Sequence, residues 1–235
     1  MPTPTGSSAW RYSALSGDKN VDSLISGTQW TNTPVTYSFA GFGSYWSTDS
    51  SSGYGASTGN GEPWNDSYAL SASDMVAVRQ AFAAWSAVAQ IRFSEVLESQ
   101  TRVGDIRLAY SGSVTQQAHA YYPGSSPKSG DVWVNSNGTS ATNEWTAGSY
   151  YYMTAIHEIG HAIGLKHPFE GASQNSTISS AAWDTRSFTI MSYSARAGDS
   201  QTHFSYEPTT PMLLDILAVQ HLYGANHGWK PGNDV

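Results

Sequence analysis

His157-Glu158-Ile159-Gly160-His161-Ala162-Ile163-Gly164-Leu165-Lys166-His167 is the stretch on which the reading of this 235-residue chain turns. Apolar residues recur at helical spacing from Tyr150 to Leu165, which predicts a helix over that range. On it His157 and His161 stand one turn apart on one face, and Glu158 is rotated by about 100° from His157. Two imidazoles can therefore reach one cation, with the carboxylate on the side where a water on that cation would sit. Gly164 accepts a left-handed conformation at no steric cost, so it can end the helix and turn the chain back. That turn brings His167 round as a third ligand. Three neutral nitrogen ligands with one open position are the coordination of a catalytic zinc ion and not of a structural one.

Composition narrows what surrounds this stretch. Charged residues are 12 % of the chain, about half the usual fraction of roughly 25 %. The net charge of -7, with 11 Lys+Arg against 18 Asp+Glu, leaves no basic stripe for phosphates, so neither nucleic acid nor an anionic membrane is an expected partner. No apolar run approaches the ~18 residues of a membrane span. The opening MPTPTGSSAW lacks the cationic and apolar regions of a conventional signal peptide. With no cysteine, disulfides and thiolate zinc sites are excluded, and a metal must be held by histidine and carboxylate.

Outward from the histidines, other elements are legible. Val35 to Phe39 alternates at period two and predicts a strand. Residues 40–66, rich in Gly, Ser, Tyr and Trp, read as a long loop ordered only by its aromatics. Ser73 and Asp74 offer N-cap chemistry to an amphipathic helix, Ser73 to Ala89, whose core face is Met75, Val78, Phe82 and Trp85. Strand-like runs follow at Ile91 to Val96, Asp105 to Tyr110, Ala118 to Tyr122 and Asp131 to Asn135. Pro211 opens a third helix that ends near Tyr223-Gly224. Strand, helix and then several strands imply a mixed sheet with a helix packed on it. Residues 1–34 read as an arm with one apolar piece, Val21 to Ile25.

At this point the chain resembles the metzincin clan of zinc peptidases, and within it the serralysin family. Pro168 after the third histidine and the downstream Met191-Ser192-Tyr193 carry that distinction, because astacins and matrixins show different flanking residues. Further likeness lies in Leu24-Ile25-Ser26-Gly27-Thr28-Gln29-Trp30, Ala84-Trp85, Asp105-Ile106-Arg107, Gly130-Asp131-Val132-Trp133, Pro211 to Ile216 and Leu222-Tyr223-Gly224-Ala225-Asn226. It runs in order over about residues 17–226.

The resemblance implies an α+β, zincin-like, two-lobed catalytic domain over 17–226, with a five-stranded mixed sheet and three main helices. Residues 1–16 would be an N-terminal arm or pro-segment remnant and 227–235 a C-terminal tail. Zinc would lie at the floor of the cleft, on His157, His161 and His167, above an apolar floor formed by Met191. Tyr193 would ligate the resting metal and swing away to stabilise the oxyanion. The implied reaction is endopeptidase hydrolysis of extended polypeptides by a zinc-activated water, with Glu158 as general base. Ala118-His119-Ala120-Tyr121 falls where the family places its substrate-binding edge strand, which can pair with an extended peptide.

The resemblance further implies an extracellular monomer acting on peptide and protein substrates, exported without a classical signal, and leaves a protein inhibitor open as a partner. Serralysins continue into calcium-binding nonapeptide repeats. Here nine residues follow Asn226 and none forms such a repeat, so calcium and the export route stay open. The remaining histidines, His119, His203, His221 and His227, are expected outside the zinc shell. Trp145, Tyr150, Tyr151 and Tyr152 are expected to pack the lobes or line a subsite, and Asp215 to make a buried structural hydrogen bond. The glycosylation-like triplets at Asn65, Asn137 and Asn175 are read as chance. Two other classes compete: a zinc-binding scaffold that recognises peptides without cleaving them, which has no use for Glu158, and an aromatic polysaccharide-binding module, which leaves the histidines unused.

Overall fold

The structure, a computed structural model, describes residues 2–137, 144–199 and 202–228. Five strands form the central sheet: β3 (Val35–Phe39), β4 (Phe93–Glu95), β5 (Ile106–Ser111), β6 (Ala118–Ala120) and β7 (Val132–Asn135), in the order β4-β3-β5-β7-β6. β4, β3, β5 and β7 run parallel, and β6 pairs antiparallel with β7 at one edge. The fold is the expected α+β arrangement with a mixed sheet. β5 is buried at every position, as a strand covered on both faces should be.

Two long helices cover the sheet. α2 (Ala72–Val88) is capped by Ser71, not by Ser73 as expected. Ser71 Oγ accepts from the Asp74 amide at 3.2 Å, and the Asp74 carboxylate accepts from the Ser71 amide at 3.3 Å. That reciprocal pair places the cap two residues upstream of Ser73 and the first helical residue at Ala72. Phe82 of α2 stacks on Tyr37 of β3, with ring centroids 4.2 Å apart. α3 (Tyr150–Ala162) begins at Ser149, whose side chain accepts from the Tyr152 amide, and is buried from Tyr152 through Ala162. Trp85 donates its indole N–H to the Ile156 carbonyl at 3.1 Å and so locks α2 against α3.

The N-terminal arm is more structured than its composition suggests. β1 (Trp10–Tyr12) pairs antiparallel with β2 (Thr28–Trp30), and α1 (Lys19–Asp22) lies between them. Neither pairing nor a four-residue helix has enough periodicity to be read locally. Residues 40–66 are the expected loop, with one 3₁₀ turn at Glu62–Trp64. Aromatics order it: Trp46 and Tyr54 pack on the fully buried Trp133, and the Tyr54 hydroxyl donates to Asp131 at 2.5 Å.

Below α3 the chain from 163 to 212 is irregular and leads into α4 (Leu213–Tyr223). This helix starts two residues after Pro211. Asp215 is fully buried and accepts from Thr189 Oγ1 at 2.6 Å, the Ile190 amide at 2.8 Å and the Met212 amide at 2.8 Å. The expected structural role of this carboxylate is thus tying α4 to the segment before Met191. Asn175 is buried and its amide donates to the carbonyls of Asp22 and Ile25 at 2.7 Å each, so it is no free acceptor for a glycan. Gly138, Thr139 and the end of the expected tail, 229–235, lie outside the described residues. No helix among the described residues is long and apolar enough to cross a membrane.

Candidate active site

The three histidines meet. His157 Nε2 lies 3.2 Å and His161 Nε2 3.0 Å from His167 Nε2. α3 places the first two; the turn at Gly164 delivers the third. Gly164 has φ +107°, and a Cβ there would collide with the Thr28 carbonyl, so two separate demands require glycine. The Leu165 amide closes onto the Gly160 carbonyl at 2.9 Å at the expected turn, although the helix itself ends at Ala162, three residues before the expected Leu165.

Each imidazole is held from behind. His157 Nδ1 faces the Ile190 carbonyl at 2.7 Å, His161 Nδ1 the Leu165 carbonyl at 2.8 Å, and His167 Nδ1 a Glu170 carboxylate oxygen at 3.0 Å. A carbonyl or carboxylate accepts only, so each Nδ1 carries the proton and each Nε2 keeps a lone pair. Burial holds the rings neutral: it pulls His157 down to about 3, His161 well below its ordinary value, and His167 lower too. Three lone pairs at this separation repel one another unless a cation lies between them. The spacing is close to the about 3.3 Å between nitrogens that Zn–N bonds of about 2.0–2.1 Å require at tetrahedral angles. The donor set fits zinc, and it is the one group of three or more candidate ligand residues among the described residues.

Met191 is fully buried against α3. A Cβ at Gly160 would stand 2.8 Å from Met191 Sδ and 3.2 Å from the Trp85 ring. Glycine at 160 therefore lets Met191 approach α3, a role that the spacing of the histidines does not disclose. Tyr193 follows two residues later. Its ring lies 4.6 Å from that of His167 and stacks at 5.9 Å on that of His157, and its side chain is half-exposed. Burial, and next the charge of Glu158, push its phenol upward, so it stays protonated at neutral pH.

Glu158 is buried, and its Oε2 has no hydrogen-bond partner. Burial alone pushes this carboxyl up to about 8. It faces a cavity of about 320 Å³ lined also by His157, Tyr193, Ala118, Gln116, Gln117, Tyr150, Met153, Thr154, Arg186, Ser192 and His203. Arg186 is buried and committed to Glu207 at 3.0 Å and to the Thr202 carbonyl, which stiffens that wall. Tyr150 lines the cavity, whereas Trp145 and Tyr152 are packed in the core.

The four edge-strand residues divide into two pairs. The Tyr121 amide donates to Asp131 at 3.0 Å and the Gln117 carbonyl accepts from Asn135 at 3.1 Å, both toward β7. By the alternation of an antiparallel ladder, His119 also faces β7, while Ala118 and Ala120 turn their N–H and C=O outward. The side chains of His119 and Tyr121 reach Glu62, at 3.2 and 2.7 Å. Burial opposes ionisation of Glu62, but these hydrogen bonds outweigh it and hold its carboxyl at about 2. Of the other histidines, His203 lies on the cavity wall and His221 meets the Ala14 carbonyl at 2.9 Å.

Sequence comparison places this geometry in a family. The matrixin family model matches residues 64–181, half of the chain, and the matched span includes all three histidines and Glu158. Among relatives, serralysin C of Dickeya chrysanthemi is 36% identical over 182 residues, covering 71% of this chain and 36% of its own. Serralysin B of the same organism is 39% identical over 168 residues, covering 64% and 33%. Metalloprotease AprA of Pseudomonas entomophila (strain L48) is 34% identical over 170 residues, covering 66% and 34%. The chain thus spans about a third of the length of these relatives. The match over half its residues makes the chain a member of the matrixin family, with a serralysin-like metzincin catalytic domain.

Proposed function

We propose that this chain is a zinc endopeptidase that hydrolyses internal peptide bonds of extended polypeptides. The observation that carries the reading is the convergence of three Nε2 atoms beside a buried carboxylate with a free oxygen, at the wall of a cavity flanked by an open strand edge. The extracellular site of action is part of the same proposal and rests on the serralysin likeness.

His157, His161 and His167 would hold the metal, each oriented by the acceptor behind it. A bound zinc ion supplies positive charge that polarises the scissile carbonyl, acidifies the attacking water and keeps Glu158 ionised. Glu158 then takes the proton of that water through its unpartnered oxygen and passes it to the leaving amine. The protonated Tyr193 hydroxyl donates to the oxygen on which negative charge develops. The outward N–H and C=O groups of Ala118 and Ala120 hold the substrate as an added strand, and the cavity beside Glu158 receives a side chain next to the scissile bond.

Five of the nine tryptophans, Trp30, Trp46, Trp85, Trp133 and Trp145, are buried in the core, which disfavours a polysaccharide platform. The test is incubation with casein, with and without a zinc chelator, and mass spectrometry of the fragments. Internal cleavage that stops on chelation is expected. Glu158→Ala should retain zinc and lose turnover by about 10²–10⁴-fold or more. Wild-type turnover in that variant, or cleavage indifferent to chelation, refutes the reading.

A further inference from the structure

Of the three ligands, His167 alone stands off the helix, on irregular chain, and something must hold it against α3. The side chain of Lys166, between the second and third ligands, is 1% exposed. Its ammonium donates to the carbonyls of Ser23 at 2.5 Å, Glu170 at 2.7 Å and Thr177 at 2.7 Å, with the His167 carbonyl at 3.4 Å. No carboxylate among the described residues forms an ion pair with it. A buried ammonium is costly unless fully hydrogen-bonded, and buried carbonyls gathered at one point are costly without a donor. Each side of this arrangement makes the other tenable.

The carbonyls come from segments far apart in sequence. Ser23 belongs to the N-terminal arm, which is stitched to the same stretch by the Lys166 amide on the Leu24 carbonyl at 2.7 Å and the Ser26 amide on the Gly164 carbonyl at 2.9 Å. Glu170 is the residue whose carboxylate orients the His167 ring, and Thr177 lies at the far end of the loop. We propose that Lys166 is an internal cation that positions the third zinc ligand, gathering the N-terminal arm and the loop 167–177 around one ammonium so that His167 Nε2 is held in place before metal arrives. The inference rests on the reading that the three histidines hold zinc. Without the ammonium the carbonyl dipoles repel, the loop spreads, and the His167 backbone moves with it.

The test is zinc affinity, measured by competition with a chromogenic chelator, alongside thermal unfolding of the metal-free protein. Lys166→Met keeps length and removes charge and donors; Lys166→Gln keeps a donor. Val35→Ala, at a fully buried position in β3, is the control for a general loss of stability. Lys166→Met is expected to weaken zinc binding by about 10–100-fold, the effect of losing an outer partner of a metal ligand. Lys166→Gln is expected to lie between it and the wild type, and Val35→Ala to lower the unfolding temperature without weakening zinc binding. If Lys166→Met does not fold, Lys166→Gln decides by the same criterion. Affinity within twofold of wild type in the folded Lys166 variant overturns the inference, as does equal weakening in Val35→Ala. A wild-type protein that binds no zinc overturns the functional reading itself.

Discussion

The two walls of the cleft are built in opposite ways. The proposed metal wall comes from eleven consecutive residues, His157 to His167, on one helix and the turn that ends it. The proposed substrate wall, β6, has three residues, and the side chains of His119 and Tyr121 at it are held by Glu62 of the distant 3₁₀ turn. Helical periodicity can place two ligands by itself, because positions four apart share a face whatever surrounds them. A three-residue edge strand has no such internal rule, and its exposed groups are aimed by tertiary contacts. The metal wall should therefore survive damage to the substrate wall.

Ala120→Pro removes an outward N–H from the edge and should raise KM by about tenfold or more, near 1.4 kcal/mol. Zinc content should stay unchanged, because proline is tolerated on the unpaired side of an edge strand. Steady-state kinetics with a quenched peptide, next to metal analysis, checks it. An unchanged KM removes β6 from substrate binding, whereas loss of zinc breaks the independence of the two walls.

Glu62→Gln probes the tether. It keeps an acceptor for Tyr121 but weakens the charge-assisted bond to His119. KM should rise by roughly two- to fivefold, at most about 1 kcal/mol, with kcat unchanged. A fall in kcat at constant KM would assign Glu62 to the chemistry and remove the contrast between the walls.

Asp131, where the loop 40–66 is anchored, bears on stability rather than kinetics. Burial pushes its carboxyl up to about 8, with the Arg107 charge opposing. A carboxyl raised above its unfolded value binds more protons when folded, so its contribution is fully present below about pH 4 and lost as pH rises through about 8. Asp131→Asn should flatten part of the fall in unfolding free energy across that window, by at least about 1.4 kcal/mol, the equivalent of one pKa unit. Denaturant titrations of both proteins at pH 5 and pH 8 measure it, and identical slopes against pH contradict the assignment.

This contrast also explains what could be read in advance. β3 lies where alternation puts it, and α3 starts at Tyr150 where its apolar spacing puts it and stops shortly before Gly164, at Ala162. The α2 cap was legible only in part, because Ser71 and Ser73 are both competent and the choice depends on Asp74 reaching back three residues. The β1–β2 pairing, the Glu62 tether and the Lys166 cage escaped local reading. Each joins residues whose separation in sequence carries no period: Trp10 with Trp30, Glu62 with Tyr121, Lys166 with Ser23.

The linear order of residues determined by itself the three histidines that converge, the carboxylate beside them and the helix that presents the first two, because backbone geometry converts spacing directly into direction. Only the tertiary structure decided which edge groups face outward, why position 160 must be glycine and which carbonyls gather around Lys166 beside the third histidine. Those depend on packing, where a side chain's neighbours are set by the whole fold and not by its place in the chain.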